Sequence, residues 1–170
     1  MSRHYLRKFQ GDGAPLPPRP PTRAIVIAWI GGLLAIAAVA LLRLGLTQPF
    51  VLGSFGATCV LAFGYPDVPF SQPRNIVLGH TLSSATGLVF LTLFGPTWWA
   101  MAMAAATAIA LMMATGTVHP PAGSNPVIVF LLQPGWDFLL LPTLLGALVV
   151  TLVALLYNNA VRESRYPKYW

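Results

Sequence analysis

The sequence predicts an all-α, polytopic helical membrane protein: four long transmembrane helices plus two short interrupted or re-entrant helices. Three observations carry that expectation. Hydrophobic residues make up 56% of the 170, charged residues only 8%, and the mean hydropathy is +0.69. Soluble domains carry about 25% charged residues, so a soluble fold is not expected of this composition. Most of the basic residues stand at the two ends, outside the apolar stretches. Finally, two apolar stretches are too short to span a bilayer, and both are interrupted by glycine or proline.

Residues 1–23 carry Pro15, Pro17, Pro18, Pro20 and Pro21 among basic side chains, a leader expected to be extended and to have no core. The first span is expected over residues 24–44. Residues 50–65 follow, apolar but short, with Gly53, Gly56 and Gly64. A polar turn holds Asp67, Gln72 and Arg74, and the next span covers residues 76–94. Gly95-Pro96 turns the chain into a span over residues 97–117. Then comes a polar, helix-breaking octapeptide, His119-Pro120-Pro121-Ala122-Gly123-Ser124-Asn125-Pro126. A short apolar piece ends near Leu132, residues 133–137 turn, and residues 138–157 form the last full span. A span needs about 20 apolar residues. Four segments reach that length; residues 50–65 and 125–132 do not.

Arg3, Arg7, Lys8, Arg19 and Arg23 precede the first span, and Arg162, Arg165 and Lys168 follow the last. The positive-inside rule then puts both termini in the cytoplasm and makes the number of crossings even. The expected organisation is a basic cytoplasmic leader (1–23), a transmembrane domain (24–158) and a basic cytoplasmic tail (159–170), in a bacterial inner membrane. The net charge of +6 therefore belongs to a membrane surface, and no nucleic-acid partner is expected. Cys59 stands alone, which excludes an intrachain disulfide and a multi-cysteine metal site. Trp98, Trp99, Trp136 and Tyr157 fall near span ends as interfacial anchors do. Trp29 and the methionines Met101, Met103, Met112 and Met113 are expected to fill packing contacts.

Shifting the chain by 67 residues lays Gly56 on Gly123, Val60 on Val127, Phe63 on Phe130 and Gly79 on Gly146. This reads as an internal repeat, each copy being a long span, a short interrupted piece and another long span. Such paired broken segments are the best sequence pointer to a transporter's binding site. If the short pieces re-enter, there are four spans; if they cross, there are six, in two inverted triplets. Arg74 favours crossing, because it would then lie on the cytoplasmic side.

Both short pieces open on small or helix-breaking residues: Gly53, Ser54, Gly56 and Thr58 in the first, Pro120, Pro121, Gly123, Ser124 and Asn125 in the second. A helix beginning there presents unpaired N–H groups and a partial positive charge, and glycine lets a ligand come close. Two such ends would make an anion site with no fully charged side chain. The competing reading is that small residues only let helices pack closely. Arg74 and Asn75 could draw an anion in, or Arg74 could simply anchor the interface. His80 and His119 could titrate and link transport to protons, or bond a backbone carbonyl structurally. Two histidines with no acidic neighbour make a poor metal site, so no metal and no cofactor is expected. With Asp67 and Asp137 both in turns, Ser54 and Ser124 lack a Ser–His–acid set, and no phosphate-binding glycine loop is present. Catalytic residues are accordingly not expected, and the chain is not read as an enzyme.

Three motifs in order, Gly53-Ser54-Phe55-Gly56-Ala57, Gln72-Pro73-Arg74-Asn75-Ile76-Val77-Leu78-Gly79-His80 and the octapeptide, resemble the HPP family of integral membrane proteins. That family is named for the triplet found here as His119-Pro120-Pro121, and the likeness covers about residues 20–160. The resemblance implies a four-span membrane domain, and nitrite transport as in its cyanobacterial and chloroplast members. The resulting expectation is a transporter of nitrite or a similar small monovalent anion in the lipid bilayer, as a homo-oligomer with dimer and trimer both open. A passive channel and a non-transporting subunit of a membrane complex are the alternatives.

Overall fold

The computed structural model describes residues 7–10, 12–42 and 51–170, and no strand occurs among them. The expected first-span end at Leu44, the short-segment start at Phe50, and His4 and Arg3 of the leader lie outside the described residues. Six α-helices follow: α1 (Thr22–Leu41), α2 (Gly53–Cys59, prolonged by a wide π-turn, Val60–Gly64), α3 (Pro73–Phe94), α4 (Trp98–Ala114), α5 (Asn125–Leu132) and α6 (Leu145–Val161).

Their ends follow from local chemistry. Proline needs no N–H partner in a first helical turn; Pro73 occupies that position in α3 and Pro126 in α5. α3 stops at Gly95 (φ 69°), and the α4 exit passes through Gly116 (φ 63°), left-handed positions that suit glycine. His119 is held extended (φ −134°, ψ 98°) by the proline after it, and Pro120–Ser124 then coil into a 3₁₀ turn. The last apolar stretch is not one regular helix. Trp136–Leu139 is 3₁₀ and Leu140–Leu144 a π-turn, with Leu141 extended (φ −129°, ψ 111°) before Pro142.

Among the described residues, three helical stretches are long and apolar enough to cross a membrane: Thr22–Leu41, Pro73–Phe94 and Trp136–Val161. α4, expected over residues 97–117, closes after 17 residues, about a turn short of the usual span.

α3 is the rod on which the second half is built. Arg74, in its first turn, donates to the carbonyls of Gly116 (2.6 Å) and Thr115 (3.1 Å) at the end of α4. At the next residue, the Asn75 amide donates to the Val118 carbonyl (2.9 Å). His119 lies against Gly79, the Ala122 carbonyl accepts from Ser83 (2.6 Å), and Pro126 and Val129 lie against Gly87. Phe130 ends beside Phe90 and Leu91, with Ala100 and Ala104 of α4. Residues 115–130 therefore run along α3 from Arg74 to Leu91. α2 lies along α6 in the same way. Phe55 packs over Gly146, the Ala62 carbonyl accepts from Asn158 (3.0 Å), and the Phe63 carbonyl from Arg162 (2.5 Å).

Two packing expectations need correction. Trp29 is 67% exposed on the outer face of α1, and Met103 (51%) and Met113 (67%) also point outward; only Met112 is buried. Lipid tails are as apolar as a protein core, so a span's outer face takes large apolar side chains freely.

Candidate functional site

The polar chemistry of the domain collects where α2, the octapeptide and α3 meet. Thr58, His80, His119 and Asn125 are all fully buried there. His80 is seven residues into α3, about 10 Å along its axis at the usual rise per residue. The Thr58 hydroxyl lies 2.9 Å from Nε2 of His80 and 2.9 Å from Nε2 of His119. The two rings meet edge to face, their centroids 5.0 Å apart, and Phe55 closes the other side of His80 at 5.1 Å.

One carbonyl fixes the tautomer of His119, from which the other bonds can be followed. Nδ1 of His119 is 2.6 Å from the Phe70 carbonyl, which can only accept, so that nitrogen carries the hydrogen. In the neutral ring Nε2 of His119 is then an acceptor; the single Thr58 hydrogen has two acceptors in reach, this nitrogen and the Ser54 carbonyl (3.0 Å), and only the first choice leaves Nε2 partnered. Thr58 in turn accepts from Nε2–H of His80. That leaves Nδ1 of His80 as an acceptor, and the Asn125 amide nitrogen faces it at 3.0 Å. The same nitrogen donates to Ser84 Oγ (2.9 Å), and Ser84 pairs with the Thr143 hydroxyl (3.0 Å). The tautomers follow from the network of partners. The result is an unbroken line from the Phe70 carbonyl to Thr143, well inside the domain.

Buried polar groups normally find partners. Here Asn125 Oδ1 and Ser54 Oγ are buried with none. Ser54 also lines an open cleft of about 530 Å³ with Gly53, Ala57, Pro120, Pro121 and Ser124. A Cβ built at Gly53, Gly56 or Gly123 meets nothing within 4 Å, so protein packing does not demand glycine at these three positions. The two interrupted segments thus open onto one cleft, and the unpaired Ser54 hydroxyl is buried behind its wall.

Homology now adds its weight. The family model described as "HPP, transmembrane region" matches residues 17–167. The chain belongs to the HPP transmembrane family. Two transmembrane proteins of Dictyostelium discoideum are similar to it: one 35% identical over 98% of this chain and 63% of its own length, the other 34% identical over 98% and 57%. The chain thus spans about three-fifths of the curated relatives it matches. No solved structure matches it. Apolar helices and family together make it an integral membrane protein.

Of the residues singled out in the HPP sequence, Thr58, His80, His119 and Asn125 come together, and Gly53, Ser54, Pro120, Pro121 and Ser124 share the cleft. Arg74 and Asn75 do not reach either; both bind carbonyls of residues 115–118 at the end of α3. Gly56 is exposed, on a separate apolar groove with Trp29 and Cys59. Ser124 closes its own turn onto the Pro121 carbonyl (2.8 Å). The carbonyl that holds His119 comes from Phe70, and the prolines beside it supply none. Ser83, Ser84 and Thr143 complete the buried set without having been singled out. A stripe of small and polar residues, Gly79-His80, Ser83-Ser84 and Gly87, recurs at helical spacing on α3 and was the available signal for the two serines.

Proposed function

We propose that this HPP domain is a transporter of nitrite or a similar small monovalent anion, taken up at the cleft between its two interrupted segments. The carrying observation is a cleft framed by both segments, with the buried, unpaired Ser54 hydroxyl behind its wall and the closed histidine set beside it. No charged side chain lines the cleft, so a small monovalent anion would not be held too tightly there to be released. Burial of Thr58, His80, His119 and Asn125 favours a carrier, since an open pore would leave such groups wetted.

In this reading the domain has four long membrane helices, and its two short interrupted segments also cross, as two inverted halves. The 67-residue offset supports it, carrying Gly53–Gly64 onto residues 120–131 and Pro73–Phe94 onto residues 140–161. So does the packing of α5 along α3 and of α2 along α6. Both termini would be cytoplasmic, in a bacterial inner membrane. Arg74 and the tail residues, which bond to the loop before α3, would then share the cytoplasmic face. The proposed partners are the anion, the lipid bilayer and further copies of the chain, as a dimer or trimer. No enzymatic activity, nucleic acid or cofactor belongs to the proposal.

Nitrite uptake into proteoliposomes at two pH values tests it, with Asn125→Ala and Arg74→Ala beside the wild type. Saturable uptake that falls in Asn125→Ala is expected. Uptake unchanged in both variants rules out the site, and non-saturating flux rules out the carrier.

A further inference from the structure

We infer that Thr58, His80 and His119 form a binding site for one proton, loaded together with the anion; the inference rests on the transport reading above. The geometry provides a place for one added proton and none for a second. In the neutral set, the Thr58 hydrogen goes to Nε2 of His119. The same hydroxyl lies 3.0 Å from the Ser54 carbonyl one helical turn back, which can accept it instead. A proton from solution can therefore bind Nε2 of His119. The Thr58 hydrogen swings to the Ser54 carbonyl, and Thr58 accepts from both rings. Every hydrogen bond of the set remains made, His80 is untouched, and His119 becomes an imidazolium with both N–H groups donating. On release the same proton leaves Nε2 and the Thr58 hydrogen returns, so the site is restored.

A second proton would have to enter at Nδ1 of His80, which already faces the N–H donor of Asn125 at 3.0 Å. It would also place two cations with ring centroids 5.0 Å apart, away from water. No carboxylate is available to offset either charge. Of the four acidic residues, Asp12 lies in the leader, Asp67 pairs with Lys168, Asp137 sits against Gly135 at the far turn, and Glu163 follows α6. On the elements packed around the rings, α2 offers only Cys59, beside Gly32 of α1, and α3 only Arg74, engaged by the end of α4. Residues 115–119, α5 and the Leu140–Leu144 turn carry no charged side chain; besides His119 their polar side chains are Thr115, Thr117, Asn125 and Thr143, and the loop at Phe70 brings its carbonyl. The added charge falls one residue from Pro120 on the cleft wall, and the hydroxyl swing ends on Ser54, which lines the same cleft. Proton and anion thus favour each other's binding and cross as a neutral pair.

Histidine ¹⁵N resonances of the full chain in nanodiscs read the site directly, and vesicles read the coupling. The expected spectrum shows His80 protonated at Nε2 and His119 at Nδ1, with acid converting His119 alone to imidazolium. In vesicles carrying an internal pH dye, a nitrite gradient should bring in one proton per nitrite, after subtraction of protein-free vesicles. Thr58→Ser should keep this, whereas Thr58→Val should lower proton entry by a factor on the order of ten or more. Acid charging of His80 first, of both rings together, or of neither overturns the inference. So does nitrite entry without protons, or wild-type proton entry in Thr58→Val; in both cases the transport reading stands. Absence of nitrite entry in every sample overturns the transport reading and the coupling with it. Should Thr58→Val fail to fold, the wild-type spectrum and the Thr58→Ser stoichiometry decide the matter.

Discussion

A methyl group added at Gly79 should disable the histidine set without touching any of its members. An alanine Cβ there would lie 2.8 Å from the His119 Cβ and 3.1 Å from the Thr117 carbonyl. Carbon atoms rest about 3.5–4.0 Å apart, so the octapeptide must withdraw from α3 by roughly 0.7–1.2 Å. His119 is held by bonds of 2.9 Å to Thr58 and 2.6 Å to Phe70, on different elements. A shift of about 1 Å carries at least one of them out of hydrogen-bonding range. The overpacking costs about 1–3 kcal/mol, and a buried ring nitrogen left unpaired about 1–3 more. Against that, replacing glycine inside a helix returns about 1 kcal/mol. The net expectation is a loss of about 1–5 kcal/mol by that arithmetic, with much lower nitrite uptake.

Gly53→Ala and Gly123→Ala are the controls, since their new methyl groups meet no protein atom within 4 Å. Their stability should stay within about 0.5 kcal/mol of wild type. Their uptake should still fall if the anion approaches that backbone. Unfolding midpoints in bicelles and nitrite uptake in vesicles measure both quantities. A Gly79→Ala protein matching wild type in stability and uptake would refute the close packing of the octapeptide on α3, and with it the geometry of the histidine set.

Three further outcomes follow from the tail and the topology. The Tyr166 phenol, buried outside the spans and donating to the Ser71 carbonyl (2.6 Å), is pushed up from its ordinary value by burial. A raised folded value means stability fully present below the unfolded phenol value of about 10 and lost as pH climbs toward the folded one; Tyr166→Phe should remove that alkaline loss, read as unfolding midpoint against pH. The Lys168–Asp67 pair (2.9 Å) has side chains 39% and 63% exposed, so Lys168→Ala should change stability by less than about 1 kcal/mol in denaturant titration. Single cysteines placed at Thr97 and Gly135 in a Cys59→Ala background should react with an impermeant thiol reagent from outside the cell, and one placed at Tyr169 only after lysis; the reverse pattern rejects the proposed orientation.

What could be read from the sequence was whatever depends on local composition. The apolar stretches, the turn at Gly95-Pro96 and the octapeptide declare themselves in order, because hydropathy and helix breakers act within a few residues. The break at Pro142 was legible by the same logic and was passed over inside an apolar stretch that looked continuous. The path of the octapeptide was not legible. Whether residues 115–130 double back or run on depends on a groove along α3 that exists only because Gly79 and Gly87 leave room for His119, Pro126 and Val129. In sequence those glycines are two among 15. Their meaning is tertiary.

The same limit applies more sharply to the site. Small and polar residues at the starts of two broken helices suggested an anion held by helix ends, with Arg74 nearby. The structure instead separates two jobs: Arg74 closes the end of α4, and a single threonine hydroxyl joins two histidines that are 39 residues apart in the chain (119 − 80). A purely structural network in a membrane core would be expected to satisfy all its members, because each unpaired polar group is expensive there. This one satisfies both rings and leaves Asn125 Oδ1 and Ser54 Oγ without partners, one at each side of the set. Thr97 Oγ1 and Thr151 Oγ1, away from the set, are unpaired as well, so it is the position of Ser54 on the cleft wall, beside a saturated pair of titratable rings, that supports a site for cargo.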